Sequence, residues 1–258
     1  MTQEEKRSIR AGVELVLKNA KEAAQRAGRN PDDIRVVLAT KTQSAEKINY
    51  AASCGIKEIG ENRVQELLDK YESLDRENLK IHFIGTLQTN KVKYIIDKVC
   101  LIHSVNSKKL AAEIDKQAKK HGIISEILVE VNAVSEESKT GVDESELYEL
   151  LEYISTLENV KVKGLMAIPP APQNICNSEK ICTSEGAIVN NLQINGVSRH
   201  YFRKILQIFL DISAKKMDNI SMDILSLGMS GDYIEAIEEG STLIRPGRAV
   251  FGERPKIV

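Results

Sequence analysis

The feature that most constrains this chain is an alternation in which short runs rich in β-branched residues recur with amphipathic helical segments between them. The runs are IRVVLAT (34–40), EIG (58–60), KIHFIG (80–85), VCLIHSV (99–105), EILVEVN (126–132), KVKGLMAI (161–168), DILSLG (223–228) and TLIRPG (242–247). Near-continuous apolar strands of this kind are expected where helices cover the sheet. The segments between them carry helix punctuation: Asn62 with Gln65 opens one, Ser107 to His121 ends at Gly122, and Asp143 with Glu146 opens another. Connections of this length make neighbouring strands parallel. An open doubly wound sheet would fit the alternation too, but eight strands close a barrel naturally. Ahead of them Ile9, Val13, Leu17, Ala20, Ala24 and Ala27 recur at helical spacing, with Thr2 and Glu5 as a capping box and Gly28 with Pro31 as the stop. A helix over 3–28 is long enough to fill the gap that seven inter-strand helices leave in the outer ring. The expected fold is α/β, a single (β/α)8 TIM-type barrel domain over 1–258 with an extra N-terminal helix.

One region breaks the rhythm. Residues 169–197, PPAPQNICNSEKICTSEGAIVNNLQINGV, are rich in Pro, Asn and Ser and too long for an ordinary βα loop. They read as a flexible insertion within the domain, or as a flap beside its site. A helix containing Phe202, Ile205, Leu206, Phe209 and Leu210 then resumes the pattern.

Composition removes several function classes. With 36 basic against 37 acidic residues the formal net charge is −1, which argues against a general binder of nucleic acid or anionic membrane. No stretch approaches the length of a membrane span, and the opening MTQEEKRSIR has neither the apolar core of a secretion signal nor an acid-poor transit peptide, so the cytoplasm is the expected compartment. Four cysteines are too few and too irregular for a disulfide framework. Cys54 and Cys100 lie in apolar patterns and read as buried thiols, whereas Cys176 and Cys182 lack a partner pair at zinc spacing. His82, His103, His121 and His200 are dispersed and give no sequence grounds for a metal site.

In a parallel barrel the carboxyl ends of the strands gather on one face, where chemistry is done. Lys41 follows VVLAT directly and should root at the mouth of an apolar barrel. A desolvated ammonium there would lose its proton more readily, leaving the amine able to attack a carbonyl; the bland alternative is a lysine that snorkels to solvent. The next strands end in Glu61-Asn62, then in Gly85 to Lys91, and later in Asn132 and Met166. The last two loops, SLGMSGD and RPGRAVFG, resemble the anion cradle that barrels build after their final strands. Ser226, Gly247 and the amide of Arg248 would hold the anion, Arg245 would point a fixed cation into the mouth, and Ser230 would cap its helix. A carbonyl-reactive lysine beside a phosphate nest suggests a phosphorylated aldehyde: pyridoxal 5′-phosphate first, a phosphorylated sugar second.

At these residues the sequence resembles the pyridoxal-phosphate homeostasis proteins, a family similar to the N-terminal barrel of alanine racemase. The matching pieces are VVLATKTQ (36–43), GENRVQE (60–66), HFIGTLQTNKVK (82–93), VNAVSEESKTG (131–141), GLMAI (164–168), LSLGMSGDYIEAIEEGST (225–242) and IRPGRAVFG (244–252). The resemblance implies that Lys41 forms a Schiff base with pyridoxal 5′-phosphate and that Asn62 lies over or beside the ring. It further implies Ser226, Gly247 and the Arg248 backbone on the phosphate, and Arg245 at the pyridine nitrogen. Two departures stand out: the 169–197 insertion, and Arg248 in place of a small hydroxyl residue.

Two functions of different classes follow. One is a carrier that masks the reactive aldehyde and exchanges the cofactor with apo-enzymes in intracellular vitamin B6 homeostasis. The other is an amino-acid racemase, which needs a base on each face of the ring. Alanine racemase takes its second base from an additional domain, and the sequence runs six residues past FG, so that domain is expected to be missing. An arginine at the ring nitrogen also weakens the electron sink. Both favour the carrier. A class I aldolase is a third possibility, although its lysine usually comes from a later strand. A monomer or weak dimer is expected.

Overall fold

The computed structural model describes residues 1–132, 140–169 and 191–252. All the expected strands form: β1 (Arg35–Ala39), β2 (Glu58–Glu61), β3 (Lys80–Phe83), β4 (Leu101–Val105), β5 (Ser125–Asn132), β6 (Val160–Met166), β7 (Ile220–Ser226) and β8 (Leu243–Ile244). Each pairs in parallel with its neighbours, in the order β4-β3-β2-β1-β8-β7-β6-β5, and β4 also pairs with β5. That last pairing closes the sheet, so the architecture is a (β/α)8 barrel and not an open sheet. A two-residue strand, Val142–Asp143, pairs with the carboxyl end of β5. The shortest barrel strand, β8, forms the seam, setting Leu243 against Arg35 on one side and Ser226 on the other. Ser241 staples it: the fully buried hydroxyl lies 3.0 Å from the carbonyls of Leu225, Leu227 and Leu243.

The first helix, α1 (Gln3–Arg26), has the capping box read from the sequence, with Thr2 accepting from the Glu5 amide and the Glu5 carboxylate accepting from the Thr2 amide. Its buried stripe of Val13, Val16, Ala20, Ala23 and Ala24 is narrow and mostly small, which lets it pack closely over the last two helices of the ring. The rest are α2 (Ala45–Ser53), α3 (Val64–Tyr71), α4 (Lys108–His121), α5 (Glu144–Ser155), α6 (Asn191–Ser213), α7 (Tyr233–Glu238) and α8 (Arg248–Phe251), with a 3-10 helix at Thr89–Tyr94. Ser107 caps α4, and Gly122 ends it in the left-handed conformation, φ 64°.

Several local expectations are corrected. Asn62 does not cap α3, whose first flanking residue is Arg63 with no side-chain cap, and Asp143 precedes α5 without a capping hydrogen bond. Cys54 is only half-buried and Cys100 is exposed, because each lies just beyond an element rather than within it. The helix α6 begins at Asn191, so the end of the expected insertion is helical, whereas 170–190, with Cys176 and Cys182, lie outside the described residues.

Strand parity separates two apolar cores. Val37, Ile84, Leu101, Leu128, Met166, Ile224 and Leu243 fill the barrel interior, and a larger cluster packs strands against helices. On β1, Val37 and Ala39 face inward and Leu38 faces the helices. Continuing that period of two directs Lys41 to the interior side at the carboxyl rim.

Candidate cofactor site

Lys41 is half-buried just past the end of β1. The backbone around it is fixed on three sides. The Ala39 amide donates to Pro246 O (2.7 Å), the Thr40 amide donates to Gly60 O (3.0 Å), and Thr42 turns the chain away with φ 65°. Behind the lysine, on the helix side, Lys70 of α3 donates to the carbonyls of Thr40 (3.2 Å) and Gln43 (3.1 Å), bracketing the loop. Its ammonium also lies 2.7 Å from Glu61, which accepts from the Thr40 hydroxyl as well. Burial pushes the Glu61 carboxyl up and Lys70 pulls it back down, the first effect prevailing. Its second oxygen is buried without a partner.

Across the mouth, Asn62 follows β2 on the interior parity. Its Oδ1 is buried with no hydrogen-bond partner, an acceptor held out of water. The loop after β3 positions it, since Gly85 packs so closely that a Cβ there would lie 2.2 Å from the Asn62 carbonyl oxygen.

Arg245 follows β8 and is 4 % exposed. Its guanidinium donates to Ser226 O (2.7 Å), Ala167 O (3.0 Å) and, through Nη1, to the Ser226 hydroxyl. Burial lowers its pKa to about 10 against the opposing field of Asp232 and Glu130, so it remains a cation at neutral pH. Ser226 is fully buried and its hydroxyl also meets His103 Nδ1 at 3.1 Å. The structure thus commits the Ser226 side chain to Arg245 and His103.

A second group of polar atoms gathers at the start of α8. Ser230 Oγ accepts from the amides of Gly247 (3.0 Å) and Ala249 (3.2 Å), so this serine ties the SLGMSGD loop to the start of α8 and does not cap the helix that follows it. Asp232 instead flanks α7 and accepts from the Met229 amide at 2.6 Å. A Cβ on Gly247 would lie 2.9 Å from Ala39 O, so only glycine lets this backbone pass beside the root of Lys41. Arg248 is exposed, with its backbone in the same turn.

Lys41, Asn62, Arg245, Gly247 and Arg248 therefore sit on one rim, with Ser226 directly beneath Arg245. Sequence reasoning missed Lys70 with Glu61, the contact role of Ser230, and the buried His82 and His103. A period-two count along KIHF and LIHSV puts each histidine on the inward parity, the signal that could have found them. Tyr233 is 6 % exposed and accepts a hydrogen bond from Asn19 of α1 (3.0 Å), so it faces the outer helix layer.

A parallel barrel with a lysine amine at the end of its first strand and an amide-lined corner after its last is the class this fold and site define. Residues 14–255 match the family model of the alanine racemase N-terminal domain. Over 239 residues the chain is 44 % identical to the pyridoxal phosphate homeostasis protein of Aquifex aeolicus, covering 93 % of this chain and 95 % of that one. The structure is similar to PipY of Synechococcus elongatus PCC7942, solved with PLP bound, with a TM-score of 0.72, 27 % identity, and 91 % and 100 % of the two chains covered. Alanine racemase of Streptomyces coelicolor A3(2) shares the fold at a TM-score of 0.66 and 13 % identity, over 97 % of this chain and 59 % of that one. The chain belongs to the alanine racemase N-terminal domain family and, within it, to the pyridoxal phosphate homeostasis proteins.

Proposed function

We propose that this protein holds pyridoxal 5′-phosphate through a Schiff base to Lys41 and acts as an intracellular carrier that masks the aldehyde and exchanges the cofactor with apo-enzymes. The observation that carries this reading is the pairing of Lys41 with the Gly247 turn. The Ala39–Pro246 hydrogen bond fixes the lysine's root against the turn whose amides converge on one oxygen, while the Thr40–Gly60 bond ties it to β2. The donor set suits the cofactor. The Gly247 and Ala249 amides, now satisfied by Ser230, can serve a phosphate oxygen, with the Ser230 hydroxyl turning to donate. Arg248 contributes its backbone in the same turn, and Arg245, oriented by Ser226, meets the ring nitrogen as a donor. Asn62 lies beside the ring with its unpartnered Oδ1.

When bound, pyridoxal phosphate supplies an aldehyde and an electron-withdrawing ring. A cationic Arg245 at the ring nitrogen keeps a proton off it, which suits storage better than carbanion chemistry. Racemisation would need a second base on the opposite face, and positioned acid–base help is worth roughly 10²–10⁴-fold. Tyr233, the tyrosine nearest in sequence to the anion loop, is engaged with Asn19 of α1.

Incubating the loaded protein with a purified apo-enzyme that needs pyridoxal phosphate tests the reading. Reactivation, together with no inversion of alanine or serine beyond that of free cofactor, is expected. Rapid saturable racemisation that vanishes in Lys41→Ala would make the protein an enzyme.

A further inference from the structure

Below the rim a line of polar side chains crosses the apolar barrel interior. Arg35 and Glu58 are the first residues of β1 and β2, at the amino end of the barrel, and their side chains pair at 3.0 Å. His82 Nε2 is 3.4 Å from Glu58, His82 Nδ1 is 3.0 Å from His103 Nε2, and His103 Nδ1 is 3.1 Å from the Ser226 hydroxyl that accepts from Arg245. Both imidazoles are completely buried, as is Ser226. Nothing in the carrier reading requires two buried histidines, and unpaired polar groups in such an interior are costly.

One order of donors and acceptors satisfies the Ser226 hydrogen and turns an N–H toward the Glu58 carboxylate. A guanidinium can only donate, so Ser226 Oγ accepts from it, and among the described residues His103 Nδ1 is the acceptor within reach of the hydroxyl's own hydrogen. A neutral His103 then carries its proton on Nε2 and donates to His82 Nδ1. His82 in turn carries its proton on Nε2, 3.4 Å from the Glu58 carboxylate, a charge–dipole contact without a formed hydrogen bond. Every O–H and N–H between Arg245 and Glu58 points the same way, and bonds aligned like this polarise one another. The charges at the two ends match the order: a carboxylate below and a guanidinium at the rim. Burial holds both histidines neutral, His103 most strongly, and Glu58 stays below the usual carboxylate range because His82 and Arg35 outweigh the effect of its burial.

We propose that Glu58, His82, His103 and Ser226 form a proton-ordered relay through the barrel that fixes Arg245 as a cationic donor at the rim, making His82 and His103 positioning residues for the cofactor ring. The proposal rests on the cofactor reading above for its consequence, but the relay itself belongs to the ligand-free protein.

Two measurements separate them. In ligand-free protein labelled with ¹⁵N at histidine, spectra at neutral pH should show His82 and His103 neutral, both with the proton on Nε2; a proton on Nδ1 of either, or a charged ring, overturns the relay. With pyridoxal phosphate added, His103→Phe should keep the visible band but shift its maximum and raise the dissociation constant about tenfold, the cost of one hydrogen bond to a charged group. His103→Gln, which can still bridge Ser226 to His82, should recover part of that loss. It also serves if the phenylalanine variant fails to fold. A band and affinity within about twofold of wild type in both variants would overturn the positioning role. If wild-type protein shows no visible band at all, the cofactor reading and the positioning role fall together, and the tautomer spectra alone decide the relay.

Discussion

At the scale of single residues, the site is defined by what cannot be replaced. Gly247 has no room for a Cβ beside Ala39 O, and its amide donates to Ser230 Oγ, whose place a phosphate oxygen takes in the site proposed above. Gly247→Asp adds both a clash and a like charge, so retention of pyridoxal phosphate by the folded variant should fall by well over about tenfold in equilibrium dialysis. Unchanged retention would move the anion site elsewhere. Ser230→Ala should cost less, because in the proposed site the two amides it satisfies bond the phosphate in its place.

Lys70 is a residue whose role only the fold discloses, as it lies on α3 and reaches back to bracket Lys41 from outside the barrel. Its side chain is 12 % exposed and that of Glu61 is fully buried, so Lys70→Met leaves an uncompensated buried carboxylate at a cost of about 3–5 kcal/mol. The folded Glu61 carboxyl already titrates above its ordinary range through burial, and losing Lys70 raises it further. A raised carboxyl penalises the charged folded form, so the deficit is full at neutral pH and shrinks as pH falls through the folded pKa and the group takes up a proton. Urea unfolding at pH 7 and pH 5 should show Lys70→Met nearer to wild type at the lower pH, and Lys70→Met/Glu61→Gln should restore most of the loss at pH 7. A deficit independent of pH would separate the effect from Glu61.

At the scale of elements, the strands and most helices were legible because the apolar period is carried by many residues at once. The capping box of Thr2 and Glu5 and the Ser107–Gly122 frame of α4 were legible too, since each satisfies backbone groups within its own helix. Where one polar residue had to be assigned to one of two duties, the sequence was silent. Asn62 and Ser230 both have the composition of an N-cap, yet contacts from distant segments override that propensity: Gly85 packs on Asn62, and the Gly247 and Ala249 amides take Ser230. The partners of the Ser226 side chain come from β4 and from the residue after β8, pairings that exist only once the barrel has closed. The seam at β8 is testable at this scale. Ser241→Ala removes the hydroxyl buried among three strand carbonyls, and should lower stability by about 1–3 kcal/mol in thermal unfolding. A change below about 0.5 kcal/mol would show that Thr242 and the ladder alone hold the closure.

For the whole molecule, closure depends on pairings among the described residues, β6 with β7 included. Loop closure entropy grows by only about 0.6 kcal/mol per doubling of length, so exchanging residues 171–189 for a short Gly and Ser linker into α6 should leave the barrel folded and able to bind cofactor. Loss of binding with the fold retained would place that segment at the site. The central claim, that one barrel lysine holds the cofactor, is tested most directly by borohydride reduction of the loaded wild-type protein followed by peptide mapping. The pyridoxyl group is expected on Lys41 alone, with no fixed label on Lys41→Ala treated in parallel. Its recovery on Lys47, Lys70 or Lys91 instead would contradict the account.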